Sequence, residues 1–145
     1  MKTSEFFKQK TVLSLEVFPP KRTAPVDTVY KTLDGLKGIT PDFISVTYGA
    51  GGIGNSRATL EIASSIKHRY GIESVAHMPC LHLTKEEAAR ILEQLKAHQI
   101  ENILALRGDR IPDMEPAGGF KYAADLVGFI RDHGDFNIIG ACYPE

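Results

Sequence analysis

Glu16 sits inside an apolar run, Ser14-Leu15-Glu16-Val17-Phe18, followed by two prolines. A carboxylate buried among such neighbours is costly unless it is paired, neutralised or needed. Burial among Leu15, Val17 and Phe18 would favour the protonated acid near neutral pH. General-acid catalysis by such a group is worth about 10²- to 10⁴-fold. The competing reading is an ion pair with Arg107 across a pocket, which would favour the carboxylate and oppose the acid role. Arg107-Gly108-Asp109 is the second candidate, a cation and a carboxylate on either side of a glycine. That glycine lets the backbone approach a bound ring; an Arg107–Asp109 salt bridge is the plainer alternative. His77, Cys80 and His82 have the spacing of metal ligands, but no fourth ligand is evident and no metal site is expected. His77 serves better as a hydrogen bonder, and Cys80 and Cys142 read as small buried residues rather than nucleophiles. The glycine-rich stretch 49–54 could cradle a phosphate through its N–H groups or be a simple strand-to-helix turn. It lacks both the lysine of a P-loop and the G-x-G-x-x-G spacing.

These residues need a scaffold, and the apolar pattern supplies one. Five short apolar runs, 12–18, 43–48, 74–78, 102–106 and 137–142, read as strands. Helical spacing lies between them. Residues 26–36 form one helix, with Gly38 as its stop. Thr59, Ile62, Ala63, Ile66 and Tyr70 mark the face of a second, ended by Gly71. Thr84 and Glu87 form a capping box that opens a third, whose inward stripe is Ala88, Ile91, Leu92 and Leu95. Residues 122–133 form a fourth, with Leu126, Val127 and Ile130 inward. Alternation of this kind implies parallel strands joined by helical crossovers. Side chains alternate faces along a strand. One face is then aliphatic or small, while the other turns polar near the carboxyl ends: Glu16, Thr47, His77, Arg107 with Asp109, and Tyr143. Parallel α/β folds keep their ligand sites at that end.

Two architectures compete. A receiver-type open sheet wants an acidic pair after the first strand and an Asp after the third, and neither is present. The expected fold is therefore α/β, a (β/α)8 TIM barrel of which the first five strands and four helices are present. A complete barrel needs ~250 residues. The 145 residues read as the amino-terminal portion of one such domain. With 17 basic against 18 acidic residues the net charge is −1, which gives no reason to expect nucleic acid or an anionic membrane as a partner. No apolar stretch suits a signal peptide or a membrane span, and two cysteines make no disulfide framework. A cytoplasmic location is expected.

Taken in series, SLEVFPPK, SVTYGAGG, AHMPCLHLT, ILALRGD, GGFKYAADLV and ACYPE resemble the methylenetetrahydrofolate reductase family in order and spacing. The resemblance implies a flavin-binding barrel that reduces 5,10-methylenetetrahydrofolate to 5-methyltetrahydrofolate. FAD would pass hydride from NADH or NADPH in ping-pong order. It makes Glu16 the general acid and puts Asp109 close to the pterin as well as the flavin. It assigns flavin or nicotinamide contacts to Thr47, Tyr48, Ala50, His77, Arg107, Gly108, Asp109, Tyr122, Ala123 and Tyr143. Gly51-Gly52 depart from the family pattern, in which bulkier polar residues follow Ala50. A homo-oligomer is expected, because a partial barrel exposes apolar edges. Two other functions stay open. One is a catalytically incompetent half-barrel with a structural or self-associating role; the other is a folate methyltransferase barrel, which needs neither flavin nor nicotinamide.

Overall fold

A computed structural model describes residues 1–20, 26–36, 38–48 and 56–142. A 3-10 helix, Thr3–Lys8, leads into β1 (Ser14–Val17), α1 (Asp27–Gly35), β2 (Phe43–Val46), α2 (Ser56–His68) and β3 (Glu73–Pro79). The chain continues through α3 (Lys85–Ala97), β4 (Asn102–Leu106), α4 (Ala123–His133) and β5 (Asn137–Gly140). The strands are shorter than expected except β3, which is longer, and β4, which matches. The opening 3-10 helix is new: two short turns are too few to carry a periodicity that a sequence reading can detect.

All five strands are parallel and pair in chain order, β1-β2-β3-β4-β5. The register fixes two faces. Val17, Val46, Ala76, Ile103 and Ile138 stand side by side in one row. They pack with Val29 and Leu33 of α1, Ile62 and Ile66 of α2, Leu92 and Leu95 of α3, and Leu126 and Ile130 of α4. All four helices therefore cover the same face. An open doubly wound sheet has helices on both faces and a reversal in strand order. Neither is seen here, and the arrangement matches part of a barrel wall.

The opposite face carries the row Glu16, Ser45, Val75, Asn102 and Asn137. Two residues further along, His77 stands beside Leu104, and Leu104 beside Ile139. This corrects the expected polar face. Leu104 and Leu106, not Arg107 and Asp109, share the side of His77. Strand β4 ends at Leu106, so alternation no longer governs the two residues beyond it.

The amino end of this face is closed by the first residues of the chain. Asn102, fully buried, accepts from the Thr3 N–H at 2.8 Å and donates to the Met1 and Ser74 carbonyls at 3.1 and 3.2 Å. The Asn137 amide donates to Asn102 Oδ1 and Thr3 Oγ1 at 3.0 and 2.9 Å. The Phe7 ring lies 6.4 Å from that of Phe43. Around this plug, the terminal amine and Lys67 meet Glu73 and Glu101.

The capping box on α3 is as expected: Glu87 N–H donates to Thr84 Oγ1 at 3.1 Å, and Thr84 N–H to Glu87 Oε2 at 2.9 Å. Helix α1 stops at Gly35, short of Gly38. Ile91 and Val127 are half-buried at the margin of the core. Among the described residues, no helix is long and apolar enough to cross a membrane.

Replacing Asn102 with Ala strips four hydrogen bonds from the plug, two of them buried, and leaves the Thr3 N–H without its acceptor. Urea denaturation of Asn102→Ala should show a loss of about 3 kcal/mol. A loss under about 0.5 kcal/mol would mean that the plug does not stabilise the sheet.

Candidate active site

Strands β1, β2 and β3 bring Glu16, Ser45 and His77 to one face, and Thr47 follows the end of β2. Glu16 is not buried as expected; its side chain is 46% exposed. Alternation is the reason. Leu15 and Val17 point to the helix-covered side, and Phe18 is 67% exposed beyond the strand's end. The carboxylate faces the open side and meets two groups there. Ser45 Oγ donates to its Oε2 at 3.3 Å. His77 Nε2 lies 3.3 Å from the same oxygen, close but not aligned for a hydrogen bond. Arg107 is not its partner.

His77 is 9% exposed. Burial pushes its imidazole below the ordinary histidine value, and the nearby Glu16 charge only partly offsets this. A buried imidazole with an unpaired nitrogen is expensive to hold. Thr47 presents a similar cost. Its N–H donates to Val17 O at 3.0 Å and its carbonyl accepts from Thr59 Oγ1 at 3.0 Å. Its own hydroxyl is buried and without a partner among the described residues. Thr47 follows directly after the last residue of β2, Val46. Two orphaned polar atoms at neighbouring strand ends are what a bound polar ring would satisfy.

Tyr48 lines a small cavity with Ser56, Thr59, Leu60, Ala76 and His77. Burial raises its phenol above the ordinary value, and a hydrogen bond with Ser56 opposes the shift.

Arg107, Gly108, Asp109 and Ala123 come together in a separate cleft of about 570 Å³, completed by Ala105, Val127 and Gly140. Arg107 is exposed, with Nε donating to the Gly108 carbonyl at 3.3 Å. No ion pair joins it to Asp109. Tyr122 precedes α4 with its ring 54% exposed. Asp125 secures that helix start by accepting from the Lys121 and Tyr122 N–H groups at 3.0 and 2.9 Å. These two bonds hold its carboxyl below the usual carboxylate range. Ala50, Tyr143 and the stretch 49–54 lie outside the described residues.

The turn after β4 is sewn to the turn after β3. Cys80 and Leu81 N–H groups donate to the Arg107 carbonyl at 3.2 and 2.8 Å, and Ala117 N–H to Leu81 O at 3.1 Å. His82 Nε2 donates to the Asp109 carbonyl at 3.2 Å, and Cys80 Sγ to the Tyr122 carbonyl at 3.6 Å. Burial lifts the Cys80 thiol to about 11, so it stays a protonated donor. Within the HMPCLH stretch, Cys80 and His82 each donate to a backbone carbonyl, while His77 Nε2 faces Glu16 without a hydrogen bond. Among the described residues, no group of three or more potential ligands could hold a metal. Gly108 has a protein partner before any ligand arrives. Its φ is +83°, and a Cβ there would stand 2.9 Å from Pro79 Cβ. Gly119 is equally confined: a Cβ would stand 2.5 Å from the Leu83 carbonyl oxygen.

Sequence reasoning passed over Ser45, whose place two residues before Thr47 on the same strand was the available signal. It also passed over the Pro79–Gly108 and His82–Asp109 contacts, which no local pattern announces.

A family model described as methylenetetrahydrofolate reductase matches residues 2–145. The 5,10-methylenetetrahydrofolate reductase of Salmonella typhimurium is 38% identical over 135 residues, which cover 92% of this chain and 44% of that protein. The enzyme of the same name from Escherichia coli is 37% identical over 135 residues, with the same 92% and 44% coverage. Methylenetetrahydrofolate reductase (NADH) 1 of Arabidopsis thaliana is 38% identical over 142 residues, 94% of this chain and 24% of that protein. The chain spans less than half the length of these relatives.

Two measurements check this geometry. Gly108→Ala combines a left-handed backbone with a clash against Pro79 and should cost about 2 kcal/mol of stability; an unchanged denaturation midpoint would contradict it. His77 should also make stability depend on pH. The unfolded imidazole takes a proton near its ordinary value, while the folded one resists. Its contribution is therefore full above that value and lost as pH falls toward the depressed folded value. Between pH ~7.5 and ~5.5 the wild type should lose more stability than His77→Asn. Parallel curves would show that His77 titrates alike in both states.

Proposed function

Because the chain belongs to the methylenetetrahydrofolate reductase family, we propose that its protein reduces 5,10-methylenetetrahydrofolate to 5-methyltetrahydrofolate. NAD(P)H is the donor and FAD the carrier, in ping-pong order. The plant relative named for NADH supports NADH as one such donor. The single observation that carries the reading is Glu16 on the open face beside Ser45 and His77.

The residues fit a flavin. The unpartnered Thr47 hydroxyl and His77 Nε2 give a polar ring two groups to bond. The cleft formed by Arg107, Gly108, Asp109 and Ala123 has room for part of an elongated cofactor. Tyr48, Ala50, Tyr122 and Tyr143 complete the proposed contacts. Bound FAD supplies a two-electron hydride carrier, which no side chain of this chain can replace.

The protein's own tasks are proton supply and orientation. The reduction opens a five-membered ring at a carbon–nitrogen bond, and the departing nitrogen, N10, needs a proton. Glu16 gives that proton to N10 and is left as a carboxylate. Its exposed side chain can reach a ligand on the open face without moving through the core. Asp109, also exposed, presents a carboxylate for the pterin and for the flavin's surroundings. The sewn turns after β3 and β4 keep Arg107 and Asp109 in fixed relation to the wall that carries His77.

A second reading concerns the 145 residues alone. They span 44% of the bacterial relatives, and the β1 end exposes Leu13 and Phe18. On this reading the isolated piece is an incompetent half-barrel that self-associates. A colourless, aggregating preparation of the piece would favour it, and a yellow one with a flavin spectrum would exclude it.

In the flavin-loaded full-length protein, Glu16→Gln should bind flavin and be reduced by nicotinamide at a near-normal rate. Its folate reduction should fall by at least about 10²-fold. Normal folate turnover by that variant would remove the acid assignment.

A further inference from the structure

We propose that Ser45 is a positioning residue for Glu16: its hydroxyl holds Oε2 and stabilises the carboxylate that forms as Glu16 releases its proton. The inference rests on the function proposed above and goes further, to a residue that the family resemblance does not assign.

The argument begins with the register. Ser45 stands directly between Glu16 on β1 and Val75 on β3, all three on the open face. Val75 offers no polar atom, so Glu16 Oε2, at 3.3 Å, is the only side-chain partner on that row for the Ser45 hydroxyl. His77 Nε2 approaches the same oxygen. Two groups crowd Oε2, and Oε1 is left to carry the transferable proton toward a ligand. The contact is long for an O–H···O bond. Such bonds shorten and strengthen when the acceptor becomes ionised. The serine hydroxyl therefore binds the carboxylate more tightly than the acid. For a Glu16 that carries its proton when the folate is bound, an interaction that strengthens as the proton leaves lowers the barrier of the transfer step; like any group that favours the carboxylate, it works against holding the proton beforehand. The proton passes from Glu16 Oε1 to N10 of the folate. The Ser45 hydrogen is not transferred.

A purely structural Ser45 would behave differently. It would affect both half-reactions through loss of fold or flavin, and a residue of similar size would serve in its place. The positioning role touches only the half-reaction that uses the proton.

The test uses the flavin-loaded full-length protein in single-turnover, anaerobic mixing. Ser45→Ala should retain flavin content, folate dissociation constant and reduction by NADH. Reoxidation by methylenetetrahydrofolate should slow about tenfold. Ser45→Thr, which keeps the hydroxyl, should recover most of that rate. If Ser45→Ala fails to load flavin, Ser45→Cys, with a similar shape and a weaker donor, carries the same expectation. Wild-type reoxidation in Ser45→Ala alongside a dead Glu16→Gln would overturn the Ser45 role and leave the acid in place. Equal slowing of both half-reactions would also overturn it. Wild-type reoxidation in Glu16→Gln itself would overturn both assignments.

Discussion

The parallel register of the five strands is the constraint on which the rest depends. With a period of two, a slip of one residue would turn Glu16 into the helix-packed core and Val17 out of it. The apolar row Val17, Val46, Ala76, Ile103 and Ile138 prevents that slip, since all four helices press against it. Burying that row on one side is what sets the other side free for chemistry. The polar residues of the open face are thus held in place by the hydrophobic effect acting on their immediate neighbours.

The open face has two ends with opposite economies. At the amino end, buried Asn102 and half-buried Asn137 bond to each other, to Thr3 and to the backbone. At the carboxyl end, Thr47 and His77 carry buried polar atoms with no hydrogen-bond partner among the described residues. The turns beyond β3 and β4 are tied to each other by backbone bonds, the His82 contact and the Pro79–Gly108 approach.

Much of this was legible in the residues themselves. The α3 capping box is local: Thr84 and Glu87 are three apart, and their bonds need nothing else from the chain. Strand and helix order followed from apolar spacing for the same reason. Glu16 lies at the surface of the open face and not among apolar neighbours, because Leu15 and Val17, beside it in sequence, point to the other side of the sheet. Arg107 and Asp109 were placed on the open face by extending alternation past Leu106, where the strand had already ended. Gly108 was read as room for a ring, and it first makes room for Pro79. The Thr3–Asn102–Asn137 plug joins residues about a hundred positions apart, and no window of sequence contains it.

The most direct test of the proposed function is the visible spectrum of the full-length protein under anaerobic conditions. The flavin band should bleach when NADH is added and return when methylenetetrahydrofolate follows, with 5-methyltetrahydrofolate as the product. A colourless protein, or a bleached band that methylenetetrahydrofolate fails to restore, would contradict the account.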